Sequence, residues 1–469
     1  MGVYDDLTPT PVINKYVFLI LSFVVGSTVA GYVADNCIFR KALKGSPQDR
    51  PRGWVLGMLV SSYMLLLPGL FHTLFGFRIS VMGGMKVLGE RKENTIEFAH
   101  ELAVSGSACG CVFVVGFAIA LPIVKLFLLA AGGILRHSHS VERRLWARRC
   151  VLFVQRISKW ASPDMFAYVL LTYLIRGLHH PPIMLGQMDL DIGFSCFATF
   201  CVASTVSSLG VRAPTRQELH LDDEEPGGRC RFSTMAMLIC TIVFCIGFAI
   251  VFVMGLTEPC MALRLDMNLL FESGKVNIDL KPLIEMLHVQ EMAADDVTLW
   301  NCTTKLLEWT SPDQDDDRKH WEANSGMAFF LFSVLVIVFT VLDMAVLLIM
   351  AIRVHATRKR PRFLFEIAVF LRKLSMLDVC VTGILIIVMA GSIYRTNGVI
   401  VSLSVGWCYL VAAELCHYIV HYVVMGVTEY LEAMRLSTSV RRPVLDRTPP
   451  DDSGSSDSEE SIDSSEEGR

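Results

Sequence analysis

Long apolar runs separated by short polar loops form the main pattern of this chain. Nine runs predict membrane-spanning helices, because apolar segments of about 20 residues match the bilayer and must satisfy their own backbone hydrogen bonds. They cover residues 15–37, 53–77, 106–134, 163–179, 189–211, 232–257, 326–352, 375–394 and 399–425. We therefore expect an all-α polytopic membrane protein.

Composition supports the same class. Of the 469 residues, 53% are hydrophobic and only 19% are charged, which is typical of polytopic membrane proteins. The sequence contains no nucleophile–base set, phosphate-binding glycine loop or nucleotide motif. We expect no catalytic activity, no cofactor and no nucleic-acid partner.

One motif occurs twice, 214 positions apart. A cation is followed by an Asp that opens an apolar run in both Ser158-Lys159-Trp160-Ala161-Ser162-Pro163-Asp164-Met165 and Arg372-Lys373-Leu374-Ser375-Met376-Leu377-Asp378-Val379. Such a recurrence indicates an internal duplication. It predicts an N-terminal segment with an extra helix (1–52), a first four-helix repeat (53–211), a linker (212–231), a second repeat (232–425) and a disordered acidic Ser-rich tail (426–469). An even number of spans per repeat makes the two repeats parallel.

Basic loops predict the orientation in the membrane. Lys and Arg concentrate in residues 40–52, 136–159 and 353–362, which we assign to the cytoplasm, with the N-terminus outside and the C-terminus inside. The long acidic loop 258–325 then lies outside. It contains the glycosylation sequon at Asn301 and two cysteines, Cys260 and Cys302, which we expect to form a disulfide.

Several segments resemble the paraquat-inducible protein A family over about residues 53–425. They are Leu65-Leu66-Leu67-Pro68, Leu121-Pro122-Ile123-Val124-Lys125-Leu126, and the two copies of a Trp-Ser-Met-Leu-Asp-Val-Phe-like motif. The first copy keeps Trp160, Asp164 and Phe166, and the second keeps Ser375, Met376, Leu377, Asp378 and Val379. The zinc ribbons of bacterial members are missing, because no C-x-x-C pair precedes either half.

The resemblance implies intermembrane lipid transport or membrane lipid homeostasis. Bacterial members of that family act in the inner membrane with mammalian-cell-entry-domain proteins, which build lipid conduits. Membrane lipids, and a conduit protein of this kind, are therefore the partners that the resemblance implies.

Ionisable residues inside apolar runs are costly and mark candidate function. Lys125, three residues after the kink-forming Pro122, is expected to face the interior, where a lipid phosphate or Asp343 would pair with it; a structural role is the alternative. Glu414, His417 and His421 share one helical face. They indicate a hydrated polar path, with interhelical hydrogen bonding and a metal site as alternatives, and we assign no metal.

The two motif aspartates have two interpretations. Asp164 and Asp378 each open a helix, where a carboxylate can cap free backbone N–H groups. Alternatively, the pair forms a gate or a proton site. For the whole protein, lipid transport or lipid homeostasis is the leading hypothesis. The alternatives are a proton- or ion-coupled solute carrier and a non-transporting scaffold.

Overall fold

The computed structural model describes residues 7–39, 52–81, 86–138, 140–181, 184–214, 233–265, 295–311, 321–391, 395 and 399–441. All structural statements below concern those residues. Most of the predicted linker 212–231, part of the loop 258–325 and the acidic end of the predicted tail lie outside them.

The chain begins with helix α1, Thr10–Ala34, which packs against helices α2 and α7 defined below. Its Asn14 side chain accepts a hydrogen bond from Ala323 N (2.9 Å) and donates one to the Trp321 carbonyl. The extra N-terminal helix is therefore part of the bundle and connects distant segments of the chain.

The remaining elements form two halves with the same order. The first half contains α2 (Gly53–Phe71), β1 (Phe75–Val81), β2 (Lys86–Glu93), α3 (Thr95–Val104), α4 (Ala108–Arg136), α5 (Val141–Ile157), α6 (Pro163–Gly177), β3 (Met184–Leu190) and α7 (Ile192–Gly210). The second half contains α8 (Thr234–Thr257), β4 (Met261–Leu265), β5 (Asp295–Val297), α9 (Leu299–Thr310), α10 (Ala323–Thr357), α11 (Arg362–Leu374), α12 (Leu377–Ala390), β6 (Val399–Leu403) and α13 (Val405–Arg441).

Each half carries a three-stranded antiparallel sheet, with strand order β2-β1-β3 in the first and β5-β4-β6 in the second. In both, the first strand of the half is the central one; Phe75 pairs with Leu190, and Leu263 pairs with Val401. We call the end of the bundle that carries the sheets the sheet end and the opposite end the far end.

The predominantly helical fold agrees with the all-α expectation, and the two small sheets are an addition that the sequence did not predict. Predicted spans 53–77 and 399–425 run into strands β1 and β6, because these short apolar strands directly adjoin helices and merge with them in a hydropathy pattern. The basic stretch 136–159, expected as a loop, is mostly helix α5. The described chain remains predominantly helical.

Within the described residues, eight helices are long and apolar enough to cross a membrane, not nine. The predicted fourth span, 163–179, is α6, whose 15 residues extend about 22 Å. Nearly every side chain of α6 is buried, so protein rather than lipid surrounds it. The short helix α12, 14 residues long, follows α11 and packs directly against α6.

Candidate functional site

Helices α6 and α12 meet where the two halves join. A Cβ atom at Gly383 would lie 2.8 Å from the Pro163 carbonyl oxygen, so only glycine permits this approach. Beside it, the motif residue Phe166 makes an edge-to-face contact with Phe332 of the second half (5.2 Å between centroids). The duplicated motif therefore forms the centre of the interface between the halves.

An ion pair crosses this interface. Lys159 Nζ lies 2.6 Å from Asp378 Oδ2, and the side chains are only 9% and 8% exposed. Asp378 also accepts hydrogen bonds from the Tyr418 hydroxyl (3.1 Å) and from Val379 N (2.9 Å). The Asp378 carboxylate thus receives a cation as well as a backbone N–H group of its own helix.

A second ionic network lies inside the second half. His417 contacts Asp343 Oδ2 through Nε2 (2.8 Å) and Glu414 Oε2 through Nδ1 (3.3 Å). Arg372 donates to Glu414 Oε1 (3.0 Å), contacts His417 Nδ1 (2.7 Å) and lies over the Tyr418 ring (3.9 Å). Two carboxylates, a guanidinium and an imidazole are thereby buried together.

Lys125 has a different environment in the first half. It is fully buried, and its ammonium donates to Ser158 Oγ (2.6 Å), the Ser204 carbonyl (2.8 Å) and Ser204 Oγ (3.2 Å). Asp343 contacts His417 instead, so the structure does not form the Lys125–Asp343 pair that was one of the expected alternatives. Neutral oxygens hold the cation instead.

The two networks nevertheless occupy corresponding positions. Lys125 is the fifth residue after the π-helical segment Val115–Ala120, and Asp343 is the fifth after the π-helical segment Leu331–Val338. Lys125 contacts Ser204 in α7, the last helix of the first half. Asp343 contacts His417 in α13, the last helix of the second half. Corresponding sites thus hold a cation in one half and a carboxylate in the other.

Asp164, the counterpart of Asp378, is fully buried, and neither of its carboxylate oxygens has a hydrogen-bond partner. The expected capping role is therefore wrong for Asp164, and Ser162 Oγ also lacks a partner. Ser375 does not cap α12 either, because its hydroxyl bonds to Thr340 Oγ1 (2.8 Å). Lys373, the counterpart of Lys159, donates to Gln155 Oε1 instead (2.9 Å).

A narrow apolar cleft of about 20 Å³ lies between α6 and α12 toward the sheet end. Its walls are aliphatic and aromatic, with Leu171 on α6, Ile386, Ile387 and Ala390 on α12, and Val401 on β6. The Tyr168 ring lines it, and its hydroxyl has no hydrogen-bond partner. An apolar cleft therefore lies at the junction of the halves, on the same two helices that carry the motif aspartates.

The remaining predicted residues make the following contacts. The Pro122 carbonyl accepts from the Tyr63 hydroxyl (3.0 Å), Trp160 stacks on Phe117 (6.2 Å between centroids), and Nδ1 of His421 has no partner. Met376 donates its N–H to the Leu335 carbonyl (3.0 Å), while Leu377 and Val379 are fully buried.

The predicted features of the loop 258–325 that the structure describes lie near the second sheet. Asn301 is exposed in the first turn of α9, whose start is capped by Thr298. Cys260 and Cys302 are both buried free thiols, and Cys260 Sγ donates to the Val297 carbonyl (3.2 Å). The expected disulfide is not formed in this structure, and its formation stays a prediction.

Glu93 is a buried carboxyl group in strand β2, outside the membrane-spanning helices. Burial raises its pKa to about 7, and this outweighs the lowering effect of Arg91, whose guanidinium lies 3.7 Å away. Its Oε2 atom has no hydrogen-bond partner. The carboxyl group is therefore positioned to titrate near neutral pH.

Sequence reasoning missed the partners of the predicted residues. Lys159 was assigned to a cytoplasmic loop, although it is buried, and neither the buried Arg372 nor Tyr418 was predicted to contact a candidate residue. A signal was available, because Lys159 and Arg372 both lie within the two copies of the repeated motif, five and six residues before its Asp. Among the described residues, no group of three His, Cys, Asp or Glu side chains is arranged to hold a metal ion.

Comparison with known proteins gives no relative: no family model matches the chain, and neither a curated protein nor a solved structure matches it.

Proposed function

We propose that this multi-pass membrane protein moves or exchanges membrane lipids along the interface between its two halves. The observation that carries the proposal is the apolar cleft between α6 and α12. The cleft is narrow in the present state. Its apolar walls, with ionic groups farther along the same helices, would suit an acyl chain and a polar headgroup once the two halves move apart. The proposal involves no chemical step and no cofactor.

The matching order of elements supports the finer architecture of the proposal. Two parallel repeats, related by an axis along the membrane normal, place their shared interface at the centre of the membrane. In this arrangement the far end lies in the cytoplasm and the sheets lie outside. A glycan on wild-type protein that is lost in Asn301→Gln would support this orientation.

The ion pair at the interface provides a gate for this movement. In the proposal, Lys159–Asp378 closes the interface in the present state, and the corresponding pair, Lys373–Asp164, closes it in another state. Asp164 is buried without a partner, and Lys373 is bound only to the neutral amide of Gln155. A rocking motion of the halves would exchange the two pairs at small net cost, because one buried charge pair replaces another.

The lipid proposal is tested by filling the cleft. Ile387 is 3% exposed in the cleft wall, whereas Ile250 on α8 is 61% exposed and faces outward. We expect Ile387→Trp to reduce lipid retained in native mass spectrometry and lipid transfer between liposomes, while Ile250→Trp leaves both unchanged. Ile387→Ala, which enlarges the cleft, controls for simple loss of folding.

Equal lipid retention and transfer in wild type, Ile387→Trp and Ile250→Trp would contradict the proposal. Any partner protein, such as a lipid conduit at the sheet end, would receive the molecule from the cleft. Capture of lipid without an added partner therefore tests the membrane protein itself.

The second candidate is a proton-coupled solute carrier, which the buried network of Asp343, Glu414 and His417 favours. Ionisable groups that share hydrogen bonds inside a membrane protein are typical of proton relays. Flux of a small solute that follows a pH gradient, and that disappears in Glu414→Gln with lipid transfer intact, would favour this function over lipid transport.

A further inference from the structure

Helix α5 carries one exposed face on which cations alternate with apolar side chains. Along this face lie Arg143, Trp146, Arg149, Phe153 and Arg156, at intervals of three and four residues, so they share one side of the helix. Trp146 is 59% exposed and Phe153 is 51% exposed. The opposite face, with Ala147, Val151 and Val154, is fully packed.

The position of α5 beside α4 relates this face to the membrane. A Cβ atom at Gly132 would lie 3.0 Å from Val151, and Lys125 donates to Ser158, so α5 runs antiparallel along the last part of α4. On α4, Phe127 is 70% exposed and Ile134 is 74% exposed. Lipid must cover these apolar side chains, so α5 runs beside the boundary of the bilayer.

The three arginines lack acidic partners in the described chain. No ion pair is formed by Arg143, Arg149 or Arg156 there, and Arg149 lies over the Trp146 ring at 5.6 Å. Arginine stems bury along apolar surface while their guanidinium groups reach outward to phosphates, and tryptophan favours the headgroup layer. A soluble acidic peptide would satisfy the cations and leave the exposed aromatic rings in water.

We propose that the face of α5 formed by Arg143, Trp146, Arg149, Phe153 and Arg156 binds the headgroups of anionic phospholipids. Under the proposed orientation these lipids belong to the cytoplasmic leaflet, which is the anionic one. The inference deepens the proposed function by naming the headgroup class that gathers beside the bundle. Only the assignment to the cytoplasmic leaflet rests on the proposed function, through its orientation. Binding of the headgroups at α5 does not require lipid transport.

The test compares two double variants of equal charge change in the full chain. Arg149→Gln with Arg156→Gln removes two cations from this face, and Arg353→Gln with Lys359→Gln removes two exposed cations near the end of α10. The probes are nanodiscs of phosphatidylcholine with or without phosphatidylserine, and native mass spectrometry counts the retained phosphatidylserine.

We expect the α5 double variant to bind phosphatidylserine about thirtyfold more weakly, since each basic residue near an anionic surface contributes about 1 kcal/mol. The α10 control should change little, and phosphatidylcholine binding should be equal in all three proteins. Trp146→Ala with Phe153→Ala should weaken retention of both lipids.

Equal loss in the α5 and α10 variants would show a general effect of net charge and would overturn the assignment. Unchanged binding in the α5 variant would overturn it as well. If phosphatidylserine binds only after residues 451–469 are removed, the acidic tail occupies the face and the assignment to lipid is wrong. Failure of the cleft variants above leaves this test unaffected, because headgroup binding at α5 does not need the cleft.

Discussion

Lys159 and Asp378 form a buried ion pair, 2.6 Å between Nζ and Oδ2, that connects the two halves of the bundle. Each residue belongs to one copy of the repeated motif, and the pair joins the start of the first copy to the first turn of the helix in the second. Residues of both motif copies therefore make this contact between the halves.

Breaking this pair should destabilise the protein strongly. Asp378→Asn leaves the Lys159 ammonium buried opposite a neutral amide, and removing one partner of a buried pair costs about 3 to 5 kcal/mol. Thermal unfolding in detergent should show the loss, and Lys159→Met combined with Asp378→Leu should recover much of it. The exposed pair Lys305–Glu308 (2.8 Å) is the control, and Glu308→Gln should change stability by less than about 1 kcal/mol.

Arg372 should be essential to the second network. Arg372→Leu removes the guanidinium from between Glu414 and His417, and we expect a loss of about 3 to 5 kcal/mol because buried carboxylates then lack their cation. Arg362→Leu, at an exposed position of the same helix, is the matched control. Stability should be partly restored in Arg372→Leu with Glu414→Leu; a double variant as unstable as the single one would show that packing, rather than charge, is lost.

Stability should fall as the pH rises through the titration of Glu93. Its pKa is raised from 4.5 to about 7, so the folded protein binds more protons than the unfolded chain between these values. Each unit of raised pKa corresponds to about 1.4 kcal/mol of stability that is present at low pH and lost as the pH approaches 7. Glu93→Gln should remove this dependence, as measured by thermal unfolding from pH 4.5 to 7.5.

The control for Glu93 is Glu308→Gln, whose carboxylate is exposed. A pH dependence that is the same in wild type and Glu93→Gln would contradict the assignment.

Two glycines should tolerate no side chain. A Cβ atom at Gly193 would lie 2.5 Å from the Thr73 carbonyl oxygen, and one at Gly406 would lie 2.4 Å from that of Glu258. Alanine at either position should cost more than about 3 kcal/mol, because the backbone itself must move. Gly116→Ala and Gly426→Ala, where nothing lies within 4 Å, should leave stability unchanged or raise it slightly.

The sequence predicts the membrane helices well because hydropathy alone determines them. The run 326–352 lies within α10, Ala323–Thr357, and the run 232–257 agrees with α8, Thr234–Thr257, to within two residues. Helix α6 was predicted as a span because a buried helix and a lipid-facing helix have the same composition. The strands were missed because their pairing partners are far apart in the chain, as with Phe75 and Leu190.

The candidate site was predicted in part. Asp343, Glu414 and His417 were chosen for the cost of placing ionisable groups in apolar helices, and the structure brings them together. Their cation, Arg372, was noted only as part of the repeated motif, because a local pattern does not show which distant carboxylate a cation will contact. Asp164 has no hydrogen-bond partner because of how α6, α7 and α12 pack around it. A local sequence pattern cannot predict such packing between distant helices.

The two halves share one order of elements but differ in buried charge, because Lys125 in the first half corresponds to Asp343 in the second. Two copies of the first half would contain two ammonium groups held by serine oxygens and would lack the acid and imidazole of the second. Two copies of the second half would bury the carboxylates of Asp343, Asp378 and Glu414 twice and would lack the Lys125 ammonium. Neither homodimer reproduces the polarity of the full chain, so the bundle needs one copy of each half.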